Sequence, residues 1–447
     1  MTPEDYRLLF AAVAGIALSI LLLVRARLHP FVALLTGAFA VGLIAGLPIK
    51  DTAAAVQKGA GDILGGTGLV VALGLGLGAM LQISDGAAGI ARGALRLSGP
   101  RGAPWAALAA AVIIGLPLFF ETGLVLLGPI VATAALSLPA EQNGVSSRLR
   151  LMMPALAGLS VVHGLAPPHP GPLLAVSALN ADLGRTMIYG LIVAIPTAIV
   201  AGGPWLASLV GKGVKLAPPV FEPVEMEMQT PPVWRALIVV LAPVLLIAAG
   251  QILVLAPDAK GLAWLGFASN PVVALLLTSF IALPLLFGRR MIEAKVQGAI
   301  WSDAMKPAGT ILLAIGAGGA LKQVLISAGL SDLLVRVTEG AALSPLLIAW
   351  LISACIRLAV GSATVATITT AGVMSGMIAA TGASAEWTVL AIGAGSLFFS
   401  HVNDPGFWLV KSYLGADTPG MFKTWSVMET VISVVGLLLV LAFSPFF

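Results

Sequence analysis

The sequence predicts an all-α polytopic membrane protein, an inverted repeat of two five-span units that each contain a re-entrant hairpin and a broken helix. That amounts to about ten spans plus two hairpins. Composition is the first reason: 59% of the 447 residues are hydrophobic and 10% are charged, whereas soluble domains carry about 25% charged residues. The second is a set of apolar runs that reach the roughly 20 residues needed to cross a bilayer. The third is a polar segment, His…Pro-Gly…Ala-Asp, that the chain contains twice.

The composition also excludes several classes of function. The net charge of +4 is spread over short loops, so we expect the chain to contact a lipid bilayer and no nucleic acid. A single cysteine, Cys355, excludes an internal disulfide and a cysteine-based metal cluster. The histidines lack the spacing of a zinc site, so we expect no metal and no cofactor.

The first unit is predicted to occupy residues 1–210. Its apolar stretch 103–140 contains Glu121 as the only charge, and prolines divide it into arms that are too short to cross. We therefore predict a hairpin with its tip at Glu121, Thr122 and Gly123. The other predicted elements are spans at 6–25, 30–48, 67–84 and 185–210, an amphipathic connector at 49–66 and a broken helix at 148–181.

The second unit, residues 233–447, repeats this order after a charged, proline-rich cytoplasmic linker at 211–232. Its apolar stretch 341–385 contains Arg357 as the only charge, and we predict a second hairpin there with its tip at Gly361–Thr364. The other predicted elements are spans at 233–256, 267–287, 309–327 and 424–444 and a broken helix at 386–414.

The two units share one register. Gly123 precedes His163 by 40 residues (163 − 123), and Gly361 precedes His401 by 40 (401 − 361). An odd number of crossings in each unit inserts the second one upside down, which places a site near the bilayer midplane. The positive-inside rule makes the side that is rich in Lys and Arg cytoplasmic and both termini periplasmic; that side includes Arg92, Arg96, Arg289 and Arg290.

The second hairpin tip is suited to binding an anion. A helix that begins after Gly361 exposes free backbone N–H groups, and Ser362 and Thr364 add hydroxyl donors. Arg357 lies one helical turn earlier and can bind a carboxylate through two hydrogen bonds. The alternative for Arg357 is a structural ion pair with Glu121 or Asp404.

Glu121 is a candidate for carrying a proton, because ionisable groups at membrane depth are costly and are functional candidates by default. Thr122 and Gly123 at the same tip are candidates for contacting substrate. The alternative for this tip is a simple hairpin turn with a capping acid.

The polar breaks contribute the remaining candidates. His163, His169 and His401 can bind substrate hydroxyls or freed backbone carbonyls, and the titration of histidine keeps a proton role open. Asn403 can bind hydroxyls, and Asp404 can bind a proton or a sodium ion. The alternative for Asp404 is a helix N-cap followed by proline at the first helical position. We expect the later Asp182 and Asp417 to be caps as well.

Four segments make the chain resemble the gluconate permease family of the ion transporter superfamily, and the resemblance spans essentially the whole chain. It implies uptake of sugar acids, typically gluconate, by proton symport across a bacterial inner membrane, and a homodimer that moves its hairpin-bearing domain as an elevator. The family usually has a small polar residue where this chain has Pro405. The segments are Phe119-Phe-Glu-Thr-Gly123, His163-Gly-Leu-Ala-Pro-Pro-His-Pro-Gly-Pro172, Ile356-Arg-Leu-Ala-Val-Gly-Ser-Ala-Thr-Val365 and Ser400-His-Val-Asn-Asp-Pro-Gly-Phe-Trp408.

We therefore expect a transporter and not an enzyme, importing a small polyhydroxylated monocarboxylate with the proton gradient. In this hypothesis Arg357, Ser362 and Thr364 hold the carboxylate, the polar breaks hold the hydroxyls, and Glu121 or Asp404 carries the proton. Other hydroxy-acids, D-serine and sodium coupling remain alternatives within the transporter class. A membrane-embedded hydrolase that uses Glu121 and the histidines, and a channel, are alternatives from other classes.

Overall fold

The computed structural model describes residues 2–136, 138–142, 144–167, 169–217, 230–250, 263–330, 333, 344–401 and 404–446. Most of the predicted linker, part of the predicted span 233–256, the start of the hairpin 341–385, and Asn403 lie outside these residues. Within them the regular structure is helical apart from one short β-hairpin and a single bridge between Leu216 and Ala416. Together with several apolar helices of membrane length, this agrees with the predicted all-α polytopic membrane protein.

By length and composition, four helical stretches among the described residues can cross a membrane: Pro3–Leu22, Leu183–Gly202, Pro271–Ile292 and Thr418–Phe446. A fifth candidate is the pair Gly68–Ile83 and Gly86–Gly115, which is bent by 60°. Several shorter apolar helices accompany them, as expected where spans are broken or re-entrant.

The first half of the chain contains nine helices among the described residues. They are α1 Pro3–Val24, α2 Pro30–Ala45, α3 Ile49–Ile83, α4 Gly86–Gly115, α5 Phe120–Leu136, α6 Ser147–Leu165, α7 Pro170–Leu179, α8 Leu183–Gly202 and α9 Pro204–Val210. Between α5 and α6, strands β1 (Glu141–Gln142) and β2 (Val145–Ser146) pair antiparallel.

The second half, as far as it is described, follows a similar order. Its helices are α10 Val233–Ala249, α11 Ala263–Ala268, α12 Pro271–Phe287, α13 Ala294–Ser327, α14 Pro345–Val360, α15 Ala363–Thr381, α16 Ala385–Ser396, α17 Pro405–Leu414, α18 Thr418–Met421 and α19 Val427–Phe443. A π-helical turn, Phe422–Ser426, joins α18 to α19.

Helices α3 and α13 are the longest, with 35 and 34 residues. The sequence predicted an amphipathic connector and a separate span here, and the structure joins the two in one helix, α3, whose apolar part is Gly68–Ile83. No proline lies between Pro48 and Pro100, and glycine weakens a helix without breaking it. The two helices pack along each other so closely that a Cβ at Gly59 would overlap the Gly319 carbonyl. Together with α1 and α2 they enclose an apolar cluster separate from the main core.

The first hairpin turns earlier than the sequence predicted. Helix α4 kinks at Gly99 (φ 64°, ψ 179°), and Pro100 then begins the arm that reaches the tip. The turn occupies 116–119, so Glu121 lies in the first turn of α5 instead of at the tip. Pro117 in this turn cannot continue the helical hydrogen bonding. Gly123 lies within α5, where a Cβ would lie 2.6 Å from the Leu159 side chain.

The two broken helices have matching second arms. Helices α7 and α17 each have 10 residues and begin with proline. They end at residues with left-handed backbone, Asn180 (φ 53°) and Gly415 (φ 73°). The next helix is capped in both cases: Asp182 accepts from Arg185 N at 2.7 Å, and Asp417 accepts from Gly420 N at 2.8 Å. The predicted capping roles of both aspartates are confirmed.

Candidate functional site

A cavity of about 580 Å³ lies where the two hairpins meet the two broken helices. Helices α5 and α6 contribute one wall, the turn between α14 and α15 contributes another, and α17, the π-helical turn and α19 close it. The polar side chains that line it are Glu121, Ser160, His163, Arg357, Ser362, Thr364, Asp404 and Glu429.

Arg357 is the positive centre of this cavity. It lies in the last turn of α14, is 5% exposed, and donates from Nη2 to Asp404 Oδ2. Its Nε is buried and has no hydrogen-bond partner among the described residues. Since guanidinium has five N–H donors, this arginine keeps donors for a further anionic group.

Asp404 is the N-cap of α17 as well as the partner of Arg357. Its Oδ1 accepts from Gly406 N at 2.7 Å, and Pro405 occupies the first helical position. Both structural alternatives that the sequence left open, an ion pair with Asp404 and an N-cap before proline, are therefore realised here. Removing Arg357 would leave the buried Asp404 without its charged partner.

The second hairpin tip directs a helix end at the cavity. Gly361 ends α14 in left-handed backbone (φ 74°), and Ser362 caps α15 by accepting from Val365 N at 3.3 Å. Thr364 and Pro405, in the first turns of α15 and α17, both line the cavity. Two helix N-termini and Arg357 thus face one space, an arrangement that favours a negatively charged ligand.

The second break, residues 397–404, is held by side chains from the π-helical turn. The Trp425 Nε1 donates to Ser400 Oγ at 2.8 Å, Ser426 Oγ donates to Ser400 O, and Ser400 Oγ donates to Asp404 Oδ2. Phe399 has left-handed backbone (φ 44°), which is uncommon for a bulky residue. These bonds satisfy polar groups that the interrupted helix leaves free, as a membrane interior requires.

The first break, residues 166–169, presents a histidine pair. His163, in the last turn of α6, lines the cavity, and its Nδ1 lies 3.2 Å from Nε2 of the buried His169. His169 Nδ1 has no hydrogen-bond partner among the described residues. Phe120 and Phe119 contact the two rings edge-on at centroid distances of 6.3 and 5.6 Å.

The remaining predicted residues lie elsewhere or are not described. His401 Nε2 lies 3.1 Å from the Leu358 carbonyl oxygen, and this histidine is absent from the described lining of the cavity. Thr122 lines a different cavity of about 280 Å³ together with Asp303. Gly123 packs against α6, and Asn403 lies outside the described residues.

Glu429 is the main cavity residue that the sequence analysis missed. It lies on α19, is 1% exposed, and has Ser160 beside it. Its Oε1 has no hydrogen-bond partner among the described residues. A signal was present, because Glu429 is the only charged residue in the predicted span 424–444 and the argument used for Glu121 applies to it. Nothing in the sequence distinguished Ser160 or Trp425.

Comparison with known proteins gives consistent matches. The model of the GntP family permeases matches residues 6–445. The gluconate permease of Pseudomonas aeruginosa is 42% identical over 99% of both chains. From Escherichia coli, the high-affinity gluconate transporter is 39% identical over 95% of this chain and 96% of its own. The Gnt-II system L-idonate transporter of the same organism is 38% identical over 96% and 97%.

Among solved structures, the YdaH transporter of Alcanivorax borkumensis is similar with a TM-score of 0.69. The match covers 94% of this chain and 99% of that chain. Sequence identity is 17%, so the similarity concerns the fold.

Proposed function

We propose that this chain, which belongs to the GntP permease family, imports gluconate or a related sugar acid as a proton-coupled secondary transporter of the bacterial inner membrane. The observation that carries the proposal is Arg357, buried in a cavity between two hairpins and two broken helices with part of its guanidinium unpaired. The gluconate transporters among its relatives support the substrate class. The L-idonate transporter supports related aldonates as the alternative.

The carboxylate of the substrate binds at the second hairpin tip in this proposal. Arg357 supplies charge-assisted hydrogen bonds, which are shorter and stronger than neutral ones. Ser362 and Thr364 add hydroxyl donors beside the N-terminus of α15. A carboxylate bound there lies next to Asp404, so the two acids share one arginine.

The hydroxyl groups of the substrate face the two breaks. Neutral imidazole offers one donor and one acceptor, and His163 presents its ring to the cavity. His401, which follows α16, and Asn403, which lies outside the described residues, stay candidates for binding substrate hydroxyls. For His401, binding requires that its contact with the Leu358 carbonyl be given up.

Proton coupling requires a titratable group in the cavity whose charge changes during the cycle. Glu121 and Asp404, the two candidates from the sequence, both line the cavity. Asp404 is tied to Arg357 and to the backbone of α17. Of these two, Glu121 is therefore the freer to exchange a proton.

The movement we propose is an elevator. The hairpins and broken helices pack into the main core together with the second half of α3 and the first half of α13. Helices α1 and α2 form a separate cluster with the first half of α3 and the second half of α13. We propose that the first body carries the substrate past the second, that the second holds a homodimer together, and that the two halves are inverted repeats with both termini in the periplasm.

Purified protein in proteoliposomes tests this function. With an inward proton gradient and no sodium gradient, labelled gluconate should accumulate intact, and a protonophore should abolish the accumulation. Equal accumulation with sodium alone would refute proton coupling, and equilibration without accumulation would indicate a channel. Hydrolysed product in the lumen would indicate an enzyme. A thermal-shift screen against gluconate, L-idonate, glycerate and D-serine then ranks the substrates.

A further inference from the structure

Glu429 has a combination of three properties that the other described acids of the cavity do not share. It is almost completely enclosed at 1% exposure, its Oε1 has no hydrogen-bond partner among the described residues, and it borders the space that the substrate would fill. Glu121 differs because it is exposed in this structure. Asp404 differs because both of its oxygens have partners.

Because Glu429 is enclosed, its ionised form is less favourable than it would be in water. An ionised carboxylate in a dry interior costs several kcal/mol unless it is paired and fully hydrogen-bonded. Ser160, one turn before His163 on α6, is the hydroxyl beside it. The unpartnered oxygen is therefore compatible with a bound proton and poorly compatible with a negative charge.

The surroundings of Glu429 have a defined charge. Among the described residues that line the cavity, α6 presents His163, α14 presents Arg357, α17 presents Asp404, and α5 presents Glu121. The neighbouring α8, α16 and π-helical turn place no titratable side chain in that lining. Because Arg357 and Asp404 neutralise each other, an arriving sugar-acid anion meets a site without excess positive charge.

We propose that Glu429 is the residue that carries the coupled proton. The inference rests on the transport function proposed above and assigns its coupling step. The proton adds to the Glu429 carboxylate from the periplasmic side and leaves it as a free proton on the cytoplasmic side. When Glu429 is neutral, a substrate anion can bind beside Arg357. With Glu429 ionised, the substrate carboxylate and the Glu429 carboxylate would be two like charges in one cavity, and like charges at close range repel.

The test separates net transport from exchange. Gluconate–gluconate exchange needs no net proton movement, whereas accumulation does. With the membrane potential clamped to zero, a gradient of two pH units supports up to about 100-fold accumulation, since each tenfold step is about 1.4 kcal/mol. Glu429→Gln keeps the size of the side chain and cannot ionise, so accumulation should fall to about 1-fold while exchange persists.

The matched control is Glu141→Gln, the same change in the exposed β1 strand, which should leave accumulation and exchange unaltered. Accumulation by Glu429→Gln at the wild-type level would overturn the inference. Loss of exchange as well, in a variant whose thermal unfolding still responds to gluconate, would also overturn it, because Glu429 would then act in substrate movement. If wild-type protein exchanges gluconate but never accumulates it with a proton gradient, the proposed function itself fails.

A second measurement uses unaltered protein and does not depend on the folding of a variant. Dicyclohexylcarbodiimide reacts with protonated carboxyl groups in apolar surroundings. Peptide mass spectrometry should find the adduct on Glu429, with less of it as the pH rises and less in the presence of gluconate. An adduct on Glu121 with none on Glu429 would overturn the assignment.

Discussion

The two broken helices have similar second arms but different side chains at the break. Their second arms have equal length, and the residue before each proline, His169 in the first and Asp404 in the second, is the N-cap. In the first break this position belongs to a histidine pair, and in the second to an ion pair with Arg357. From this difference we expect a division of duties, with charge recognition at the second break and polar contacts at the first.

The breaks also differ in length, although the spacing from the hairpin glycine to the following histidine is the same. Helix α6 has 19 residues, whereas its counterpart α16 has 12. In α16 the Ser396 hydroxyl bonds back to Gly393 O at 2.8 Å, near the helix end, and Ser400 is held by the π-helical turn. His163 therefore lies inside a helix while His401 lies in a break, even though both follow their glycine by 40 residues (163 − 123 and 401 − 361).

The largest expected effect comes from removing Arg357, the positive charge that pairs with Asp404 of the second break. Arg357→Ala should lower gluconate uptake at least about 100-fold, because two charge-assisted hydrogen bonds of about 1.5 kcal/mol each are lost. Uptake into proteoliposomes measures this. His169→Asn, the change at the first break, should cost only severalfold.

Stability needs a separate control here, because Asp404 left unpaired costs about 3–5 kcal/mol. The double variant Arg357→Ala/Asp404→Asn removes that buried charge and should unfold at a higher temperature than the single variant. Near-normal transport by either variant would discard Arg357 as a ligand. Equal losses at the two breaks would contradict the division of duties.

An intermediate effect should come from adding a side-chain atom where the two broken helices contact each other. Gly393 of α16 lies against Gly164 of α6 so closely that a Cβ at Gly393 would overlap the Gly164 carbonyl oxygen. Gly393→Ala should therefore destabilise the protein by about 1–3 kcal/mol through overpacking. Thermal unfolding in detergent measures the change.

The control for Gly393 is Gly61→Ala on α3, where a Cβ would meet no atom within 4 Å. That substitution should be neutral or stabilising by up to about 1 kcal/mol, since alanine favours a helix over glycine. If both alanine variants behave alike, the two broken helices are not in backbone contact and can move separately.

The smallest effect should come from removing a hydrogen bond that supports the second break. Trp425→Phe keeps a ring near Phe120, now at 5.4 Å between centroids, but removes the N–H that binds Ser400. A loss of about 1 kcal/mol in stability is expected, with uptake reduced severalfold. Trp205→Phe is the control, because it removes a similar bond, to Val200 O at 2.9 Å, at an exposed site. An unchanged Trp425 variant would show that the break does not need this donor.

Local signals predicted much of the fold. Proline and glycine placed the second hairpin tip and both breaks, and aspartate before a helix placed the caps at Asp182 and Asp417. The first tip was predicted too late in the sequence. Pro117 interrupts the helix there, and Glu121 lies in the first turn of the next one.

The candidate site was harder to predict, because its walls come from distant parts of the chain. Sequence spacing selected Arg357, Asp404 and Ser362, which all line one cavity. It could not show that Thr122 faces another cavity. It also could not bring Ser160 and Trp425 together with the hairpin, since that contact depends on how helices from both halves pack.

The equal second arms also bear on how the protein responds to voltage. Ten residues rise about 15 Å, half of a hydrocarbon core of about 30 Å, so a ligand in the cavity lies about midway through the electric field. A lone charge moved that far would exchange about 1.2 kcal/mol with a potential of 100 mV. In the proposed cycle a proton and a sugar-acid anion cross together and add no net charge, so the field does no work on this cargo. Import would then follow the pH difference and be nearly indifferent to membrane potential.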